Sequence, residues 1–201
     1  RLVVTPKGIQ VEAVTEKGVY WALQTLRQLE EKKGRYEACE IVDWPAFKIR
    51  GFMHDIGRSY LPMDELKKEI EILSRYKINV FHWHLTEDQG WRLEIRKFPE
   101  LTEIGAVRPY SPKVHTEKEP DGVKYGPFFY TEKDVAEILA YAKARGIRVV
   151  PEIEIPGHVR ALLAAHPEFS CRGDLPKETP GWFDIMEDVL CAGNDEAIRY
   201  L

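Results

Sequence analysis

The sequence predicts an α/β fold in which parallel strands are joined by helical crossovers. From residue 47 onward, segments of strand periodicity alternate with segments of helical periodicity, the pattern of a parallel sheet with helices on its faces. The strand segments end in ionisable residues: Asp55 and Arg58, then Glu87 and Asp88, then Glu154 and His158. Parallel α/β folds build their sites at the carboxyl ends of strands. At 201 residues, 44% hydrophobic and 31% charged, the composition is that of a globular protein.

Taken in order, residues 2–4 and 9–14 alternate around Pro6-Lys7-Gly8 and read as a hairpin. Leu23, Leu26 and Leu29 recur at helical spacing within 20–29, and Gly34 ends that helix. Residues 35–46 read as a linker broken at Trp44-Pro45. Residues 1–43 are too few for a domain of their own and read as the tail of a small α+β domain. The α/β part then occupies 44–201. Its strands are 47–56, 79–85 and 147–155, with helices at 62–76 and 131–145. Asp64 and Glu65 lie in the first turn of one helix, where its dipole favours them. Thr131 and Asp134 make a capping box at the start of the other, and Gly146 stops it. The stretch 86–130 is long for a connection, so it is functional or carries small elements of its own.

Other features narrow the class. A formal charge of −4 offers no broad basic surface for nucleic acid. No apolar run approaches the roughly 18 residues of a membrane span. The opening RLVVT reads as mid-strand, not as a signal peptide, so the chain reads as starting inside a domain. Cys39, Cys171 and Cys191 match no zinc spacing. Cys39 reads as a buried thiol. Cys171 and Cys191 bracket a polar loop, where a disulfide would imply an oxidising compartment and two free thiols would not.

Alternation along the second strand puts His82 and His84 on one face and Phe81, Trp83 and Leu85 on the other. The apolar face suits packing on helices; the histidines point into a barrel or across a sheet. In the third strand Glu152 and Glu154 share a face. Any one charged strand end is ordinarily a surface ion pair, but three together point to a site. One chemistry is a metal centre with His82, His84 and His158 as ligands. The other uses carboxylates and no metal. Metal-binding HxH pairs usually sit on a first barrel strand, and here a strand and a helix precede the pair.

The segments RGFMHDIGRSYLP (50–62), NVFHWHLTEDQGWRLEI (79–95) and VVPEIEIPGH (149–158) resemble barrel motifs of the family-20 glycoside hydrolases, the β-N-acetylhexosaminidases. RLVVTPKGIQVEA and GVYWALQTLRQL resemble the end of the small domain that precedes the barrel in that family, and HPEFSC and VLCAGNDE resemble segments after its third strand. The resemblance implies a partial (β/α)8 TIM barrel, of about the first three βα units. It implies retaining, exo-acting removal of terminal N-acetylglucosamine or N-acetylgalactosamine from glycans. The mechanism would be substrate-assisted: the sugar's own acetamido oxygen attacks the anomeric carbon, an exception to the two-carboxylate scheme. No metal or other cofactor is required.

Carried over residue by residue, Arg58 matches the arginine that holds hydroxyls of the terminal sugar, as a guanidinium fork can. Glu87 matches the carboxylate that pairs with His158, which in turn contacts the general acid. The family often has Asp at the Glu87 position, so Asp88 is a candidate to share the role. Glu154 matches a position near the acetamido group, and His82 and His84 become structural barrel residues. The family's consecutive orienting Asp and acid Glu follow an apolar strand. The pair Asp195-Glu196 follows Cys-Ala-Gly-Asn instead, which reads as an Asn194 cap with acids in the first helical turn. A whole barrel takes ~250 residues, so the chain reads as a fragment, inactive alone, whose partners are an N-acetylhexosamine glycan and the remainder of its own barrel. A secreted or periplasmic setting is expected.

Overall fold

The computed structural model describes residues 1–30, 32–109, 123–181 and 186–201. Strands β1 (Leu2–Thr5) and β2 (Gly8–Val11) form the expected hairpin. The helix that follows, α1 (Glu16–Leu29), starts before the leucine repeat because the Thr15 hydroxyl caps it, accepting from the Gly18 N–H at 3.2 Å. It also stops before Gly34, with Glu30 at its C-cap. Residues 35–46 contain a strand, β3 (Cys39–Ile41), paired antiparallel with β1. Three residues are too few to show a period against the surrounding polar sequence, so that strand was invisible as a pattern.

The second sheet is built from β4 (Gly51–Asp55), β5 (Val80–His84) and, after two small strands, β8 (Arg148–Glu152), in the order β4-β5-β8. Its hydrogen bonds run from Asn79–Arg50 at one end to Ile56–His84 at the other, and from Arg148–Asn79 to Leu85–Glu152. Strand starts thus match starts and ends match ends, so the strands are parallel. All three strands are shorter than the apolar runs predict, β5 by one residue at each end and the other two by more. Phe47 and Ile49 lie outside β4 and are 73% and 67% exposed. Past Glu152 the Glu154 N–H donates to the Thr86 hydroxyl, not to a strand carbonyl.

Between the strands lie α2 (Met63–Arg75) and α4 (Glu132–Lys143). Thr131 and Asp134 cap α4 reciprocally: the Asp134 N–H donates to the Thr131 hydroxyl at 3.2 Å and the Thr131 N–H to Asp134 at 2.9 Å. Gly146 takes φ +72 just after it, the left-handed conformation that ends helices. The long connection carries a two-residue ladder, β6 (Thr86–Glu87) with β7 (Gly90–Trp91), and a short helix α3 (Glu100–Glu103). Beyond β8 come α5 (Arg160–Ala165), a 3-10 turn (Pro167–Phe169) and α6 (Asp195–Tyr200). Asn194 caps α6 as expected, accepting from the Glu196 and Ala197 N–H groups.

Two compact units result: residues 1–52, 64–81 and 139–149, and residues 53–63, 82–138 and 150–201. The first has Leu2, Val4, Leu66, Ile70, Phe81 and Ala142 buried. The second is centred on Trp91, Leu101, Leu162, Leu163, Phe169 and Leu190, with Trp83 and Leu85 also buried on the face the alternation assigned to packing. The carboxyl ends of β4, β5 and β8 all fall in this second unit. The three cysteines are free thiols; Cys171 and Cys191 share a hydrogen bond, which raises the pKa of Cys171 and lowers that of Cys191. No helix among the described residues is long and apolar enough to cross a membrane.

Candidate active site

The site is assembled where the turn after β4 meets the β6–β7 hairpin. The N–H groups of Ile56 and Gly57 both donate to the His84 carbonyl, at 3.0 and 3.1 Å. A Cβ on Gly57 would lie 2.8 Å from the Glu87 Cβ, so only glycine lets the turn press this closely on the hairpin. Arg58 follows at once. Its N–H donates to Asp55 Oδ1 at 3.0 Å, and its guanidinium pairs with Asp55 through Nη1 and with Glu87 Oε1 through Nη2, the latter at 2.5 Å.

Glu87 is the centre of this arrangement. It is 2% exposed, and its second oxygen, Oε2, accepts from the Asp88 N–H at 2.8 Å and lies 3.1 Å from His158 Nδ1. His158 holds φ +53, a conformation that non-glycine residues adopt at a cost and that concentrates at functional sites. Its ring is 43% exposed and also approaches Asp88 Oδ2, at 3.5 Å. Asp88 is buried, and its other oxygen accepts from the Arg160 N–H at 3.0 Å. Burial pushes the Asp88 carboxyl up; the Arg160 N–H pulls it down, and the neighbouring Glu87 charge adds to the rise.

A second cluster lies on the histidine face of the sheet. His82 Nε2 contacts Glu152 Oε2 at 2.5 Å. His84, 6% exposed, has Nε2 at 3.4 Å from Glu154 and Nδ1 at 3.8 Å from both Asp55 and Glu152. Burial works to raise the pKa of Glu152, but the Glu154 hydrogen bond and the two histidines outweigh it and the net shift is downward. Glu154 shifts up, through burial and then its hydrogen bond with and repulsion from Glu152.

Of the residues singled out from sequence, Arg58, Glu87, Asp88 and His158 come together, while Glu154 groups with His84 and Glu152. Two sets of side chains have ligand atoms close enough to hold a cation, His84-Glu152-Glu154 and Glu87-Asp88-His158. Among the described residues no such set contains two histidines, so the His82, His84, His158 ligand set of the metal alternative is not assembled. His82 and His84, on one face of β5, meet carboxylates instead: His82 meets Glu152, and His84 meets Glu154, Asp55 and Glu152. In the other set the cationic Arg58 already engages Glu87, and the Arg160 N–H engages Asp88.

Three arginines of the site region escaped the sequence reading. Arg160 binds Asp88 through its main chain and Asp188 and the Pro176 carbonyl through its guanidinium. Arg92 and Arg108 are 0% and 1% exposed. Their one signal was an arginine set in apolar surroundings, in GWRLEI and GAVRPY, and arginines are seldom fully buried.

Comparison with known proteins identifies the family. Residues 47–201 match the model of "Glycosyl hydrolase family 20, catalytic domain", and residues 1–44 match "Glycosyl hydrolase family 20, domain 2". A beta-hexosaminidase of Porphyromonas gingivalis is 42% identical over 97% of this chain, which spans 25% of that protein. An N,N'-diacetylchitobiase of Vibrio harveyi is 36% identical over 79% of the chain, 19% of its own length. Among solved structures, a beta-N-acetylhexosaminidase superposes with TM-score 0.89 at 34% identity, covering 99% of this chain and 42% of that one. The enzyme of Bacteroides fragilis NCTC 9343 gives TM-score 0.79 at 39% identity, covering 99% and 37%. The fold is thus a partial α/β barrel, spanning less than half the length of these relatives. With both models matched in order and the parallel strands ending in the Arg58–Glu87–His158 chain, this protein belongs to glycosyl hydrolase family 20.

Proposed function

We propose that this chain supplies the sugar-holding and histidine-relay part of a retaining exo-β-N-acetylhexosaminidase acting on terminal N-acetylglucosamine or N-acetylgalactosamine. The observation that carries the reading is the division of Glu87 between two partners, Arg58 on one oxygen and His158 on the other. Arg58, braced by Asp55 and Glu87, offers a fixed fork to adjacent hydroxyls of the terminal sugar. His158 gives its Nδ1–H to Glu87 and offers Nε2, on its half-exposed side, to the general acid. Asp88 supports His158 from the second side, and Glu154, whose pKa is raised by burial and by the neighbouring Glu152, faces the acetamido group.

In this mechanism the acetamido oxygen attacks the anomeric carbon as the glycosidic bond breaks, and the acid protonates the departing oxygen. Among the described residues no pair fits the family's Asp-Glu pair: Asp195 and Glu196 open α6 under the Asn194 cap. The rest of a family-20 barrel supplies that pair and continues the sheet beyond β4 and β8, each of which has one neighbour among the described residues. On this reading 1–43 is the end of the preceding small domain and 44–201 the start of the barrel. A chromogenic β-N-acetylglucosaminide tests it. The 201-residue chain should give no turnover, and the chain joined to the rest of its barrel should release the β anomer. Robust turnover by the chain alone, or none by the joined protein, overturns the reading.

A secreted or periplasmic setting also fits, supported by the adjacency of the Cys171 and Cys191 thiols. Protein prepared without reductant should then show both thiols blocked to alkylation, and full alkylation would count against it.

A further inference from the structure

Arg92 and Arg108 are buried cations behind the site. The Arg92 guanidinium donates to the Gly57 carbonyl through Nε and Nη2, at 3.3 and 3.1 Å, and to the carbonyls of Ala106, Phe128 and Gln89 at 3.1, 3.0 and 3.4 Å. Among the described residues none of its acceptors is a carboxylate. Gly90 makes room for it, since a Cβ there would lie 2.1 Å from Nη2. Arg108 donates from Nη1 to the Arg58 carbonyl at 3.0 Å, with its guanidinium 4.2 Å over the Tyr125 ring.

Burying such cations is costly. Burial lowers the pKa of Arg92 to about 10, and the nearby Arg108 charge pushes the same way. A core that needed only filling would be served by an apolar side chain. A guanidinium does something else: its planar fork fixes several carbonyls at once. The carbonyls of Gly57 and Arg58 bracket the Arg58 Cα, and the N–H between them is held by Asp55. Three main-chain groups around the Arg58 Cα, the Gly57 carbonyl, the Arg58 N–H and the Arg58 carbonyl, are therefore held by side chains.

We propose that Arg92 and Arg108 are positioning residues for Arg58, fixing the main chain on both sides of it so that its guanidinium meets Glu87 and the sugar hydroxyls together. The proposal rests on the hexosaminidase reading. A double-mutant cycle tests it in the protein carrying the rest of the barrel, with kcat and KM measured on a chromogenic N-acetylglucosaminide. Arg108→Met should lower kcat/KM about tenfold, chiefly through KM, and Arg108→Lys should recover part of the loss. In an Arg58→Ala background the same Arg108→Met change should cost less than about twofold, because the group it positions is gone.

If Arg108→Met does not fold, Tyr125→Phe carries the same cycle, since it removes the tyrosine hydroxyl bonded to Arg108 and keeps the ring. Equal losses with and without Arg58 would mean a purely structural role and overturn the proposal while the hexosaminidase reading stands. An unaltered protein with no activity on β-N-acetylhexosaminides would remove that reading, and the proposal with it.

Discussion

Glu71 in the first unit and Glu87 in the second are both carboxylates paired with arginine, yet they are built for opposite ends. Glu71, on α2, takes a 2.7 Å contact from Arg145 Nε and lies 3.7 and 3.6 Å from Arg27 and Arg75. The Arg145 hydrogen bond outweighs the effect of burial, and with the three positive charges it holds the Glu71 pKa below the usual value. Cations outnumber anions there, and the 25% exposed side chain keeps some water. At Glu87 the count is reversed. Two buried carboxyls, Glu87 and Asp88, share one arginine side chain and one histidine, and burial pushes Asp88 up. A structural ion pair surrounds its anion with charge that never leaves. A site leaves part of the balance to a group that can gain or lose a proton.

This contrast can be broken most forcefully at the histidine. His158→Phe, in the protein with the rest of its barrel, should lower kcat by about a hundredfold or more, the scale of acid–base support. An unchanged kcat would make the Glu87–His158 contact a mere ion pair like that of Glu71. Arg58→Ala comes next, with KM raised about tenfold to a hundredfold, the worth of a charge-assisted hydrogen bond to a sugar hydroxyl. A KM that does not move would remove Arg58 from the substrate.

Two smaller effects concern stability, measured by urea unfolding of the chain. Glu71→Gln should cost about 1 kcal/mol at neutral pH. The folded pKa of Glu71 is depressed, so this contribution is present above its unfolded value of 4.5 and is lost as pH falls through the folded value. Asp88→Asn should change stability at neutral pH least, and upward if at all. The folded pKa of Asp88 is raised, so its contribution is present below 3.8 and lost as pH rises through the folded value. Opposite signs for the two substitutions sharpen the comparison, and equal signs would erase it.

Much of the second unit could be read from its residues. Alternation in β5 gave the burial of Trp83 and Leu85 because one face of that strand is covered, and the Thr131–Asp134 box and the Asn194 cap are local chemistry that sequence states directly. Elements held by partners far along the chain were hidden. β3 exists through its pairing with β1, and the true end of β8 depends on a Thr86 hydroxyl. The same holds for the site. Motif resemblance supplied Arg58, Glu87 and His158, but the main-chain carbonyls that Arg92 and Arg108 hold carry no side-chain signature.

Glu87→Gln, in the protein with the rest of its barrel, asks most directly whether one carboxylate joins substrate holding to the histidine relay. The substitution keeps the volume and removes the charge that both Arg58 Nη2 and His158 Nδ1 face. Measured on a chromogenic N-acetylglucosaminide, kcat should fall and KM should rise together, each by about tenfold or more, with the fold intact by thermal unfolding. A variant in which only one parameter moves, or neither, would mean that Arg58 and His158 work apart and that Glu87 is a neighbour to both without coupling them.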